Sequence, residues 1–235
     1  MLGLDLKLSD LRIKLDQMTE RIVSRLKDRS RFNLNKPIYA TNGISIAGRK
    51  GISFLEFALE GLERYHATLG RYDYPDQHPL VSKHLPPTPV AREKPFSLIS
   101  KVQIDVRREI VAFYVGLLPE LCQPGEDART FGETAYIDAD LIELLNERIN
   151  LGRYVAESKL HVDYTVAGIR EPDLLTKRLR EYAREEQVIE KAKESARRYD
   201  LDPTVAEKLF SWIIQETLKV EIEYLRKRTR TPDFI

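Results

Sequence analysis

Two cations, Arg148 and Lys159, stand eleven residues apart in the segment Glu147-Arg148-Ile149-Asn150-Leu151-Gly152-Arg153-Tyr154-Val155-Ala156-Glu157-Ser158-Lys159, a stretch that otherwise reads as helix. At about 100° per residue this spacing returns nearly to the same face, with the two α-carbons roughly 16 Å apart along the axis. Long side chains at both ends can converge. Cations aimed at a common point need an anion between them, and a small dicarboxylate fits the gap. The competing reading is a solvated helix with both charges turned outward.

A second anomaly lies near the end of the chain. Leu209, Ile213, Thr217 and Glu221 follow in steps of four, so a hydroxyl and a carboxyl sit beneath apolar residues on what should be a packed face. A buried carboxyl needs a cationic partner or a proton, and desolvation raises its pKa toward the neutral, hydrogen-donating form. Alternatively the row drifts to the surface and Glu221 pairs on its own helix. The nearest cations in sequence, Lys219 and Arg226, are not at pairing distance. Glu181, Arg184 and Glu185, taken alone, read as a solvated ion-pair face, and Arg12, one residue after Leu11, reads as facing water.

The elements that must position these groups are helical. Apolar residues at three-four spacing predict helices over Leu8 to Phe32 (capped by Ser9 or Asp10), Ser53 to Leu69, Leu98 to Leu121 with Pro119 disturbing its last turn, Asp138 to Val162, Leu174 to Tyr199, and Pro203 to Arg228 with Asp202 as cap. Residues 75 to 97 hold Pro75, Pro79, Pro86, Pro87, Pro89 and Pro95, too many for a helix, and predict an extended connector. No strand-period run of useful length occurs. The expectation is all-α, with residues 1–235 forming one domain.

Charge is balanced, with Lys+Arg 38 against Asp+Glu 37, which gives no reason to expect nucleic acid or an anionic membrane as partner. The single cysteine, Cys122, permits no intrachain disulfide and reads as a buried or half-buried thiol; with four scattered histidines it makes no metal cluster. The start, Met-Leu-Gly-Leu-Asp-Leu-Lys-Leu, has neither a basic leader nor a long apolar run, so neither a signal peptide nor a membrane span is expected and the cytosol is the default.

Six collinear motifs join these pieces: Leu11-Arg12 followed by Arg29-Ser30-Arg31-Phe32; Ser53-Phe54-Leu55-Glu56; Tyr74-Pro75-Asp76-Gln77-His78-Pro79; Phe131-Gly132-Glu133-Thr134-Ala135; Arg148-Ile149 to Lys159; and Val220-Glu221-Ile222-Glu223-Tyr224-Leu225. Together with Arg12, Arg148, Lys159, Glu185, Thr217 and Glu221, expected on four helices, they resemble the all-helical chorismate mutases in their long yeast and plant form over nearly the whole chain. The resemblance implies a helical bundle, a homodimer, and a cofactor-free [3,3] rearrangement of chorismate to prephenate on the route to phenylalanine and tyrosine. It further implies that Arg12 and Arg148 bind the substrate's carboxylates, that Lys159 serves the side-chain carboxylate and the ether oxygen, and that a protonated Glu221 donates to the same oxygen. By the same analogy Glu185 accepts from the ring hydroxyl, Thr217 adds a neutral hydrogen bond, and Glu181 joins the substrate-binding set. No metal or cofactor is expected.

The departures from the family pattern matter as well. Where the yeast form has Asn, this chain has Glu181, closer to short bacterial relatives, and Arg184 before Glu185 has the same flavour. At the places where the yeast form binds a regulatory amino acid, the chain reads Gly70-Arg71, Gly132-Glu133 and Tyr136, and its loop 199–204 is short. An acidic Glu133 and one arginine fewer disfavour an amino-acid carboxylate, so the expectation is weak or absent control by tyrosine and tryptophan. The rival readings are the same pocket acting on isochorismate or aminodeoxychorismate, and a catalytically silent helical dimer that serves as a partner or scaffold.

Overall fold

The computed structural model describes residues 6–73, 77–91, 93, 97–100, 102–169 and 171–228. Met1 to Asp5, the Tyr74-Pro75-Asp76 part of one motif, and Pro95 lie outside the described residues. Eight α-helices occur among those described: α1 (Leu8–Ser30), α2 (Phe54–Thr68), α3 (Arg107–Leu121), α4 (Phe131–Asn150), α5 (Gly152–Val162), α6 (Pro172–Leu179), α7 (Tyr182–Arg198) and α8 (Pro203–Lys227). No strand is present among them beyond one isolated bridge, Ile46 to Arg49. None of these helices is long and apolar enough to cross a membrane.

The predicted periodicities explain the packing. In α1, Leu11, Leu15, Met18, Ile22 and Leu26 form the buried stripe, and in α8 Leu209 and Ile213 are wholly buried. The central helix is α4, every residue of which from Leu141 to Asn150 is buried, against α1, α2, α3 and α8. Polar groups inside such a helix need partners. Asp138 accepts from Arg29 Nε at 2.7 Å, Tyr39 OH at 2.6 Å and Tyr114 OH at 2.6 Å, which fastens the end of α1 to α4. Cys122 is buried beside this cluster, and burial pushes its thiol up to about 11.

Helix ends follow local chemistry in two places. Ser53 and Glu56 form a reciprocal capping box on α2, and Asp202 accepts from Thr204 N–H ahead of Pro203 on α8. α1, by contrast, starts from Lys7 without a side-chain cap, so neither Ser9 nor Asp10 plays that part.

Three predicted helices are redrawn. The stretch from Leu98 is not helical until Arg107: Ser100 N–H donates to Tyr224 OH and Arg153 donates to the Val102 carbonyl, so the segment runs extended over α5 and α8. Its apolar residues Ile99, Val102, Ile104 and Val106 pack as parts of a strap. Pro119 is accommodated in the last turn of α3, which ends two residues later. The helix expected over Asp138 to Val162 begins at Phe131 and is interrupted at Leu151, giving α4 and α5. The helix expected over Leu174 to Tyr199 is divided at Arg180 and Glu181 into α6 and α7.

Candidate active site

The α4–α5 interruption is slight. Leu151 keeps helical dihedrals (φ −61°, ψ −16°) and its N–H bonds to Glu147 O, so α5 continues roughly the line of α4. Directly after it, Gly152 meets α8 without a side chain: a Cβ there would lie 2.9 Å from the Thr217 carbonyl oxygen. This close approach sets the distance between α5 and α8, and thereby between Lys159 on one and Glu221 on the other.

Between α1, α4, α5, α7 and α8 lies a cavity of about 100 Å³ that opens to solvent. Arg12, Arg148, Lys159, Glu181, Glu185, Thr217 and Glu221 all line it, together with Arg180, Arg184 and apolar residues including Leu15, Val155, Val188 and Ile214. The structure therefore brings together the seven residues that the sequence offered as substrate or catalytic groups. They stand on five elements, with Glu181 at the non-helical cap of α7, where the sequence suggested four helices.

Arg148 is 4% exposed, and its Nε has no hydrogen-bond partner. Among the described residues no carboxylate lies within pairing distance of this guanidinium. Burial lowers its pKa to about 10, which leaves it charged at neutral pH. The attractive charge it feels is that of Asp16, which does not pair with it directly, and a buried cation lining a cavity with no carboxylate at pairing distance has the chemistry to receive an anion.

Lys159 donates to Glu221 Oε2 at 3.0 Å and to the Leu179 carbonyl at 2.7 Å. Glu221 is buried, and its desolvation outweighs the neighbouring ammonium, so the carboxyl is pushed up to about 7. At neutral pH the group is poised between donor and acceptor. The partner of Glu221 is thus Lys159, sixty-two residues away in sequence, and not a cation of its own helix. One turn earlier, Thr217 donates its hydroxyl proton to the Ile213 carbonyl at 2.7 Å, which leaves the oxygen's lone pairs toward the pocket.

The remaining charges at the pocket pair with one another. Arg12 donates to Glu181 Oε2 at 2.6 Å, and Glu181 Oε1 lies 3.8 Å from Lys159 Nζ. Arg184 and Lys191 hold Asp16, whose carboxyl would be raised by burial but is carried below the usual range by these two hydrogen bonds. Arg180 grips both oxygens of Glu185 with its Nε and Nη2. Of the lining residues, Arg180 carries no signal in the sequence, and outside the lining Arg153 is buried and holds the Val102 and Asn150 oxygens.

The arrangement can bind a small dianion and present two donors, Lys159 and a neutral Glu221, to a single atom. Residues 131–222 match the family described as chorismate mutase type II. Chorismate mutase 2 of Arabidopsis thaliana is 31% identical over 250 residues, covering 95% of this chain and 93% of that protein. This chain belongs to the chorismate mutase family. As a chorismate mutase it is an isomerase, and two solved structures extend the likeness to the fold. The Candida albicans chorismate mutase, solved in complex with L-tryptophan, superposes with a TM-score of 0.90 at 29% identity, covering 97% of this chain and 94% of that one. The AtCM1 structure with tyrosine bound in an allosteric site gives a TM-score of 0.85 at 25% identity, covering 94% and 96%.

Proposed function

We propose that this pocket rearranges chorismate to prephenate and that its residues divide the work as follows. Arg148 and Arg12 hold the substrate's carboxylates, Lys159 serves the side-chain carboxylate and the ether oxygen, and neutral Glu221 donates to that oxygen as the C–O bond breaks. Glu185 accepts from the ring hydroxyl, Thr217 adds a neutral contact, and Glu181 belongs to the binding set as the carboxylate that yields Arg12 and Lys159 to the substrate. A pericyclic step needs no nucleophile. It needs a compact conformer and donors aimed at developing charge. The observation that carries this reading is Arg148, a buried guanidinium with no carboxylate of the described chain in reach, at a cavity where Lys159 and Glu221 already touch.

The test is loss of chorismate absorbance on adding purified protein, with the product identified by acid conversion of prephenate to phenylpyruvate. Arg148→Ala and Lys159→Ala are each expected to lower kcat/KM at least a hundredfold with helix content by circular dichroism unchanged. Near-normal turnover in either variant refutes the assignment.

We further propose that the chain works as one domain and as a homodimer in the cytosol, with little control by tyrosine or tryptophan. Exposed Phe57 and Tyr65 on α2 and Leu69 at its C-terminal cap favour a self-associating face, and a single unpaired thiol suits a reducing compartment. As to control, Arg71 is engaged by Glu147 at 3.4 Å within its own chain. Glu133 stands fourteen residues earlier on α4, about 21 Å away, so a site joining the two has to draw on a second copy and still contains an acidic residue. Titration with tyrosine should change activity less than about twofold, as a shielded or repelled carboxylate binds weakly. Strong inhibition refutes this part alone.

A further inference from the structure

Arg180 and Glu185 are five residues apart, and on an uninterrupted helix they would point about 140° away from each other. They meet because the helix is broken at Arg180 and Glu181. Arg180 takes extended dihedrals (φ −68°, ψ 137°) at the end of α6, and Glu181 (φ −125°, ψ 79°) turns the chain into α7. This two-residue break swings the guanidinium back over the first turn of α7. There its Nε donates to Glu185 Oε1 at 3.0 Å and its Nη2 to Oε2 at 2.5 Å, while its carbon stands 4.6 Å from the Tyr182 ring centroid. A fork bound at both prongs and covered on one face has little freedom left, and so has the carboxylate it holds.

We infer that Arg180 is a positioning residue, which fixes the Glu185 carboxylate in the orientation that receives the substrate's ring hydroxyl. The inference rests on the role proposed above for Glu185. Both residues line the pocket, with Glu185 the more enclosed. An ionised carboxylate has about four lone-pair sites, and a bidentate arginine uses two. The hydroxyl therefore has somewhere to bind while the grip persists. The charge also matters. Glu181 and Glu221 face the same cavity, and a dianionic substrate entering beside an unneutralised Glu185 would meet added repulsion. Arg12 and Lys159 contact Glu181, and Arg184 and Lys191 contact Asp16, so Arg180 is the cation assigned to Glu185.

A double-mutant cycle on the full chain tests this. Steady-state kinetics on chorismate are compared for wild type, Arg180→Met, Glu185→Gln and the pair, each checked for helix content. Arg180→Met is expected to lower kcat/KM about tenfold in the wild-type background, mostly through KM, and less than about twofold when Glu185 is already Gln. Arg180→Lys should recover only part of the loss, because an ammonium cannot reproduce the fork. Equal losses in both backgrounds overturn the inference and make Arg180 a direct ligand of the substrate; no loss, or full rescue by lysine, overturns it also. If Glu185→Gln alone is near wild type, the proposed role of Glu185 fails first, an outcome distinct from additive losses.

Discussion

Glu221→Gln probes the chemistry most directly. A carboxyl raised from 4.5 to about 7 favours its neutral form in the folded protein by about 3 kcal/mol relative to a solvated one. Two consequences follow for the wild type. Above pH 7 the neutral donor is lost about tenfold per pH unit, so kcat/KM at pH 9 should be about a hundredth of its plateau. The new anion also retains Lys159, 3.0 Å away, and so withdraws the second donor from the ether oxygen. Bound substrate adds negative charge and pushes the carboxyl higher still, which places the alkaline limb of kcat at higher pH than that of kcat/KM. Glutamine donates at every pH and carries no charge to hold Lys159, so the limb should flatten. The same substitution reads out in stability. Because the folded-state pKa is the raised one, the contribution is fully present below 4.5 and lost as pH rises through about 7. Glu221→Gln should therefore lose less stability than wild type between pH 5 and 8 in denaturant titrations. A limb of unchanged steepness and position in the variant refutes the donor role.

Two further perturbations act on the same pocket. Gly152→Ala places a Cβ 2.9 Å from a backbone oxygen of α8, so α5 must shift; displacement of a few tenths of an ångström should cut kcat about tenfold or more and cost about 1–3 kcal/mol of stability. Normal kinetics with lowered stability would mean that the Lys159–Glu221 distance is set elsewhere. Glu181→Gln removes a carboxylate that lies against both Arg12 and Lys159. The pair is exposed, so KM for chorismate should fall no more than about fivefold, and a rise in KM would make Glu181 a contact of the substrate itself.

The sequence made the helical class and the anomaly of Glu221 legible for a physical reason, whereas Arg12, Glu181 and Glu185 read locally as solvated and joined the candidate site only through the family resemblance. Helix faces are periodic, and a residue such as Glu221 that violates its face stands out against Leu209 and Ile213. The breaks were less accessible. Gly152 is followed by good helix formers, and its purpose depends on the Thr217 carbonyl of another helix. No Pro or Gly marks Arg180 and Glu181; the contact that goes with the break is tertiary, since the Leu179 carbonyl is turned toward Lys159 of another helix. The strap formed by 98–100 and 102–106 deceived through composition, because an extended segment packed on two helices shows apolar residues at spacings that also suit a helix.

The distribution of partners among the cations is what separates scaffold from receptor. Arg29 and Arg153 are as buried as Arg148, yet each is met by protein oxygens, and they fasten α1 to α4 and the strap to α5. At the pocket, Arg12, Arg180 and Arg184 each hold a carboxylate of the chain. Arg148 holds none among the described residues, and folding alone gives no return for burying it there, since replacing it by an apolar residue of similar volume would remove a desolvation cost of several kcal/mol. Asp16 acts on it only from beyond pairing distance, and under the proposed function the direct partner is the substrate's carboxylate. That asymmetry, invisible in a list of charged residues, is the structural sense in which the Arg148 to Lys159 spacing anticipates a substrate.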